Sequence, residues 1–488
     1  MSAIASGAGE RMLPARFVPL PAEARRQDAF PHTRRRLPWM LAGFLALLFL
    51  VPIDSTHLKI HLPVDSHIDR FAILAIVAAW FWLGGDQRTF FNPRRSKLFI
   101  TFAALFTAAT IASVVLDGPR IINLSELTLA EKHLATLAAF LVVGWFTLTA
   151  VRRADLPGLA SYLIGLGCLT ALGVLIERRT GYNVFYNFSE MILKPIATVA
   201  PAPTNIHPAF GTDGRAVVVG PTIHGLAVTA LMTMVMPFAL VRMLDAKERK
   251  PRLMYAAAFL LMLAGAIATD KKTAVVVPFA IVAYVTFYRP RQMMKIVPIG
   301  LIVLVGIVHF ASPGALGSIF DKKQAVNSNS TLHRLGDFSS VVPDILAHPV
   351  IGRGFGTLNP DQPTIFRIND DEYVDEIWQV GIVGLLAYVG MIIAPILVAR
   401  RAIRGRDPAM CSLALATSAG CVAYLVVSAL FDAMSFPQAP YMFFIVAALA
   451  TVASSKGEDD DEDAPRARSP RRPGRARRAR SYATAEMS

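Results

Sequence analysis

Five carboxylates crowd into the seven positions 370–376: Asp370, Asp371, Glu372, Asp375 and Glu376. An apolar run opens directly after them at Ile377. Charge is costly in hydrocarbon, so these acids must stop where a membrane span starts. Two chemistries fit such a cluster. Negative side chains at a helix N-terminus are favoured by the helix dipole, which suits Asp375 and Glu376. A carboxylate kept ionised by nearby cations can also take the proton of an attacking hydroxyl. Asp371 and Glu372 are the candidates for that base. Asp270, His224 and His348 are rivals, although for His224 a hydrogen-bonded buried role is the plainer reading.

The elements that must position these groups are apolar helices. The chain has 488 residues, of which 54% are hydrophobic and 17% charged, with a mean hydropathy of +0.47. Soluble proteins average about 25% charged residues, so the class expected is an all-α polytopic membrane protein. A spanning helix needs about 20 mainly apolar residues. Candidates fall near 37–53, 69–85, 97–116, 133–151, 157–177, 221–243, 252–269, 273–288, 294–310, 376–399, 409–431 and 437–455, which makes twelve. Cys168, Cys411 and Cys421 lie in apolar runs and read as small hydrophobes, with no CxxC spacing for a metal or redox site.

Basic residues set the orientation. With a cytoplasmic N-terminus, the inside segments hold 34 of the 49 Lys and Arg, and every inside connection is short and basic. Both termini are therefore expected in the cytoplasm. Most of the five Trp fall near span ends, where an interfacial ring is expected. Residues 1–36 read as a retained, disordered basic tail rather than a cleaved signal. Residues 37–455 form the transmembrane domain, and 456–488 read as a disordered charged tail. That last tail could touch anionic headgroups, but a solvated run is the plainer reading.

Two outer segments are much longer than hairpins: 178–220 and the large loop 311–375, between the ninth and tenth helices. Long loops on a rigid scaffold tend to carry function. In the second loop, Ser330 or Thr331 can cap an amphipathic helix whose apolar residues recur from Leu332 to Leu346. It ends near His348-Pro349. Gly352, Gly354 and Gly356 then bracket Arg353 and Phe355 in a tight turn. The strand and GxxxxGK[ST] spacing of a nucleotide loop are absent.

These residues resemble the signature loop of the O-antigen ligase and polysaccharide polymerase family. The similarity rests on Arg334 ahead of the helix, His348-Pro349, the Gly352–Gly356 turn, the polar Asp370–Glu372 group and Gly381-Ile382-Val383-Gly384. Arg215 and Pro221 are similar to the family's lead into a long helix. Lys271 and Lys272 stand where it places a Ser-Arg-Gly turn. The polar pair departs from the pattern: it lacks the His that ligases favour, and Asn369 sits one residue early.

The resemblance implies a GT-C-like architecture in a bacterial inner membrane. It implies a polyprenyl-diphosphate-linked glycan as donor, used at the outer face, with a glycan or lipid as acceptor. Cations must then surround the leaving diphosphate. Arg215, Lys271, Lys272, Arg334 and Arg353 are the candidates, since guanidinium pairs with two phosphate oxygens at once. No DxD-like pair sits in a soluble domain, so metal-independent transfer without a cofactor is expected. Polysaccharide assembly proteins are possible partners, and nothing points to nucleic acid. A flippase of lipid-linked sugars would share this topology but show charges deep in its helices. A non-catalytic scaffold of an export complex would tolerate loss of Asp371 or Arg215.

Overall fold

A computed structural model describes residues 36–59, 66–82, 97–117, 124–202, 218–311, 341–357 and 371–455. The two tails, most of the 311–375 loop, and Arg215, Arg334 and Asp370 lie outside the described residues.

Each of the twelve apolar stretches falls on a helix. In chain order the helices are α1 (Arg36–Leu50), α2 (Ile68–Trp82), α3 (Lys97–Asp117), α4 (Leu124–Ala150), α5 (Leu156–Thr180), α6 (Val184–Leu193), α7 (Gly225–Asp245), α8 (Arg249–Ala268), α9 (Thr273–Tyr288), α10 (Pro290–Ala311), α11 (Glu372–Ile403), α12 (Pro408–Ser428) and α13 (Gln438–Ser454). Seven of them, α3, α4, α5, α7, α8, α11 and α12, contain a segment long and apolar enough to cross a membrane. The molecule is a mostly helical membrane protein. Among the described residues its sheet is one antiparallel pair, β1 (Thr56–Leu58) with β2 (Ala197–Val199), in register Thr56 to Val199.

Local chemistry sets several helix ends. Gly181 closes α5 in the left-handed region at φ 72°, donating to the Glu177 carbonyl. Asn183 caps α6 through the Phe185 and Tyr186 N–H groups, and Asp407 caps α12 ahead of Pro408. The short α6 lies in the long 178–220 segment between α5 and α7, where no span or helix was expected.

Helices α7, α12 and α13 form the centre, and their side chains are almost wholly buried. α7 packs on α5, α8 and α12, while α11 packs on α3, α12 and α13. Between helices in lipid, close approach through small residues replaces hydrophobic drive. Gly420 supplies one such approach: a Cβ there would stand 3.0 Å from the Met234 carbonyl of α7. α8 lies at the flank and exposes Leu253 and Met254. Cys421 is buried as expected, whereas Cys168 and Cys411 are half-buried.

The bundle has two chemically distinct ends. The turns at 151–155, 242–252, 289–291 and 404–407 gather at one, tied by Arg153–Asp407, Arg289–Asp245 and a bond from Arg242 to the Pro157 carbonyl. They carry the short basic connections, and we call this the basic end. The turns at 51–56, 181–186, 218–224, 269–272 and 429–438 gather at the other, together with the start of α11. This acidic end carries the carboxylate cluster.

Candidate functional site

The glycine-rich turn and the start of α11 form one backbone unit. Asp371 caps α11, its carboxylate accepting the Tyr373 N–H at 2.9 Å. Nine residues into the helix, Gly381 takes φ 69° and ψ −172°, so α11 breaks and restarts. Residues 349–354 hydrogen-bond along that break. Arg353 N donates to the Trp378 carbonyl and Gly354 N to the Gln379 carbonyl, while Ile382 N donates to the Pro349 carbonyl. A Cβ on Gly381 would run into the Val350 carbonyl, and one on Gly352 into the backbone of Gln379. Two backbones this close, both with positive φ, require glycine.

Arg353 was expected to offer its guanidinium to a ligand. In the structure it forms ion pairs with Glu126 at 3.6 Å and Asp344 at 3.4 Å. Trp378, expected as an interfacial anchor, is buried and donates its indole N–H to Asp344 at 2.7 Å. Together these contacts fasten the loop to α4 and α11. Residues 341–347, the described part of the expected amphipathic helix, are helical.

Beyond the cap, the carboxylates are buried rather than solvated. Glu372, Asp375 and Glu376 are only 2%, 6% and 2% exposed. Glu372 Oε2 accepts the Met434 N–H at 2.8 Å, which binds α11 to the turn between α12 and α13. The Glu372 carboxyl stands among those of Asp432, Glu376 and Asp375. Both Glu376 oxygens are buried without a hydrogen-bond partner. Near Asp432 are His133 of α4 and half-buried Arg70 of α2, whose guanidinium donates to Thr136 Oγ1 at 3.4 Å. The His133 ring packs edge-on to Phe355, with centroids 6.2 Å apart.

Lys271 and Lys272 sit in the turn joining α8 to α9. Asp270 adopts φ 58°, a strained value for a non-glycine residue. The Thr269 hydroxyl pairs with that of Thr229 at 2.9 Å, pinning the turn to α7. Lys272 is exposed, while half-buried Lys271 crosses the start of α7, its Cε 3.5 Å from where a Gly225 Cβ would lie. His224 caps α7 and stacks on Phe436 at 5.5 Å. His224 thus ties the start of α7, beside Lys271, to Phe436 in the 432–436 turn, which Glu372 also holds through Met434.

Two more carboxylates complete this end. Asp69 accepts from the Tyr441 hydroxyl at 2.8 Å, and Asp54 from Gln438 at 2.5 Å. Burial raises the Asp54 carboxyl to about 7. Glu177 accepts from Asn183 Nδ2, Val219 N and Gly220 N, which holds the segment leading to His224.

Sequence reasoning passed over Arg70, His133 and Asp432. Their signal was faint but present. Arg70 is one of only 15 basic residues on the expected outer side, and Asp432 is the lone acid in the turn between α12 and α13. Among the described residues, no group of three or more His, Cys, Asp or Glu is arranged to hold a metal ion. Compared with protein-family models and with curated proteins, the chain matches none.

Proposed function

We propose that the protein is a membrane glycosyltransferase that takes a glycan from a polyprenyl diphosphate and ligates or polymerises surface polysaccharide. The reaction belongs at the acidic end of the bundle. By the positive-inside rule the basic end faces the cytoplasm, which puts the acidic end outside. The full reading has twelve crossings, both termini cytoplasmic and a bacterial inner membrane. The observation that carries it is the carboxyl group of buried Glu372 and Glu376 with half-buried Asp432, near His133 and Arg70, together with Lys271 beside Gly225 at the start of α7. Buried charge at a membrane boundary is costly and is retained where it works.

The roles follow from what each group already holds. Asp371 caps α11 and Glu372 accepts from Met434 N–H; Glu372, which stands in the carboxyl group with Asp432 and Glu376, is taken as the base. Lys271, Lys272 and Arg70 would take the diphosphate, with Arg215 and Arg334 as further candidates. Arg353 acts instead as a latch on the loop.

The test is reconstitution of the full chain with a polyprenyl-diphosphate glycan, scoring release of free polyprenyl diphosphate. Glu372→Gln is expected to slow release about 10²-fold or more, the usual contribution of a general base, with normal insertion. Release at the wild-type rate in both Glu372→Gln and Lys271→Ala would sink the reading. One observation favours transport of the lipid-linked sugar instead: Glu376, buried beside the Glu372 carboxyl, is of the kind that relays protons in transporters. That reading expects movement of the intact lipid between leaflets with no release.

A further inference from the structure

We propose that a cleft at the basic end of the bundle, between α5, α7 and α12, is a binding site for an anionic phospholipid. It encloses about 670 Å³, within the ~300–1,000 Å³ usual for small-ligand clefts. Its character changes with depth. Ala160, Phe238, Leu413 and Ala416, a turn or more inside their helices, make an apolar interior. Arg242, Lys247, Arg289 and Arg406 stand at the helix ends, opposed by the single lining carboxylate, Asp245.

Two of the guanidiniums are already oriented. Arg242 donates to the Pro157 carbonyl at 2.9 Å. Arg289 donates to Asp245 Oδ1 at 2.5 Å and to Ser412 Oγ at 2.7 Å. Each guanidinium carries five N–H donors, so these bonds fix the planes and leave donors for phosphodiester oxygens. Lys247 and Arg406 are exposed and add charge without such anchoring.

A soluble anion would need only the cations. A neutral lipid would leave them unmatched. The apolar interior joined to a cationic rim calls for one molecule with a phosphate at one end and a hydrocarbon chain at the other. The rim lies at the ends of three candidate spans, the depth of lipid headgroups, where basic pockets between helices hold anionic lipids. The site concerns the opposite end of the molecule from the carboxylates and stands independently of the transferase reading.

The experiment delipidates the full chain in detergent and offers phosphatidylglycerol and phosphatidylcholine in equal amounts, counting bound lipid by native mass spectrometry. Wild type is expected to retain phosphatidylglycerol selectively. Arg406→Gln, at an exposed position, and Arg289→Gln are each expected to weaken retention about fivefold, equivalent to ~1 kcal/mol per basic residue. Lys250→Gln makes the same charge change at the same end but outside the cleft, and is expected to leave retention unchanged. Inorganic phosphate is expected not to displace the lipid. Equal retention of the two lipids, an equal loss in Lys250→Gln, displacement by inorganic phosphate, or full retention in Arg406→Gln would each overturn the proposal.

Discussion

At the basic end, Arg153 meets Asp407 at 3.4 Å with their side chains 18% and 54% exposed. At the acidic end, Glu177 is 2% exposed and its carboxylate serves an amide and two backbone N–H groups. Both are charged contacts that join distant parts of the chain, yet their physics differs. The first pair remains in water, where screening and side-chain entropy leave little net gain. The second has given up its hydration, so each hydrogen bond is needed and each loss exposes a buried donor. The basic end can therefore exchange partners, while the acidic end holds fixed positions. Fixed positions are what a reacting site requires.

The sharpest way to break the acidic end is through its backbone. Gly381→Val places a branched side chain at φ 69° and against the Val350 carbonyl. The 349–354 segment would then leave α11, taking Arg353 and Gly356 with it. The expected cost exceeds about 4 kcal/mol, the range of strained and overpacked sites, read as loss of folded protein in detergent. A Gly381→Val chain with an unchanged thermal midpoint would show that the two backbones do not depend on each other.

A smaller effect comes from Asp54, which burial lifts from an ordinary 3.8 to about 7. The Gln438 hydrogen bond opposes that rise and the Asp69 charge adds to it. The folded chain thus holds a proton that the unfolded chain releases. The contribution to stability is complete below about pH 4 and is lost as pH rises through about 7. At ~1.36 kcal/mol per pH unit it amounts to a few kcal/mol. Asp54→Asn cannot ionise, so its thermal midpoint should gain on wild type steadily from pH 4 to 7.5. Parallel curves for the two proteins would contradict the buried proton.

Glu177→Ala comes next. It strands the N–H groups of Val219 and Gly220 and one N–H of Asn183 Nδ2, which keeps its bond to the Gly220 carbonyl. Stranded buried donors cost ~1–3 kcal/mol each, partly relieved by water at the bundle end, so about 2–4 kcal/mol is expected. Glu177→Gln keeps one acceptor and should lose less. Because Glu177 holds the segment leading to His224, hydrogen exchange should rise at 218–226 in Glu177→Ala. Unchanged exchange there would confine its role to α5.

These contrasts also explain what could be read from the chain. The helices were legible because crossing hydrocarbon demands a run of apolar residues, whatever the tertiary structure. The turns of the basic end were legible because Lys and Arg density is a local property. The site was harder, since its groups come from α2, α4, α11 and the turn before α13. Asp432 next to Glu372, or Arg353 next to Glu126, is a relation across dozens to hundreds of residues with no periodic trace. The break at Gly381 was hidden because the apolar pattern runs straight through it. α6 was hidden because ten residues are too few to stand out within the long 178–220 segment.

The weakest expected effect lies at the basic end and sharpens the contrast most cleanly. Arg153→Ala breaks a pair whose other partner, Asp407, is exposed, and should cost less than about 0.5 kcal/mol. Asp407→Ala should cost more, because Asp407 also caps α12 through the Ala409 and Met410 N–H groups at 3.0 and 3.3 Å. Loss of such a cap costs ~1 kcal/mol. The two effects separate in a double-mutant cycle. If the pair is as weak as its exposure suggests, Arg153→Ala made in the Asp407→Ala background costs nearly what it costs alone. A coupling above about 1 kcal/mol would mean that the basic end, too, holds its charges in place, and the distinction between the two ends would fail on its own ground.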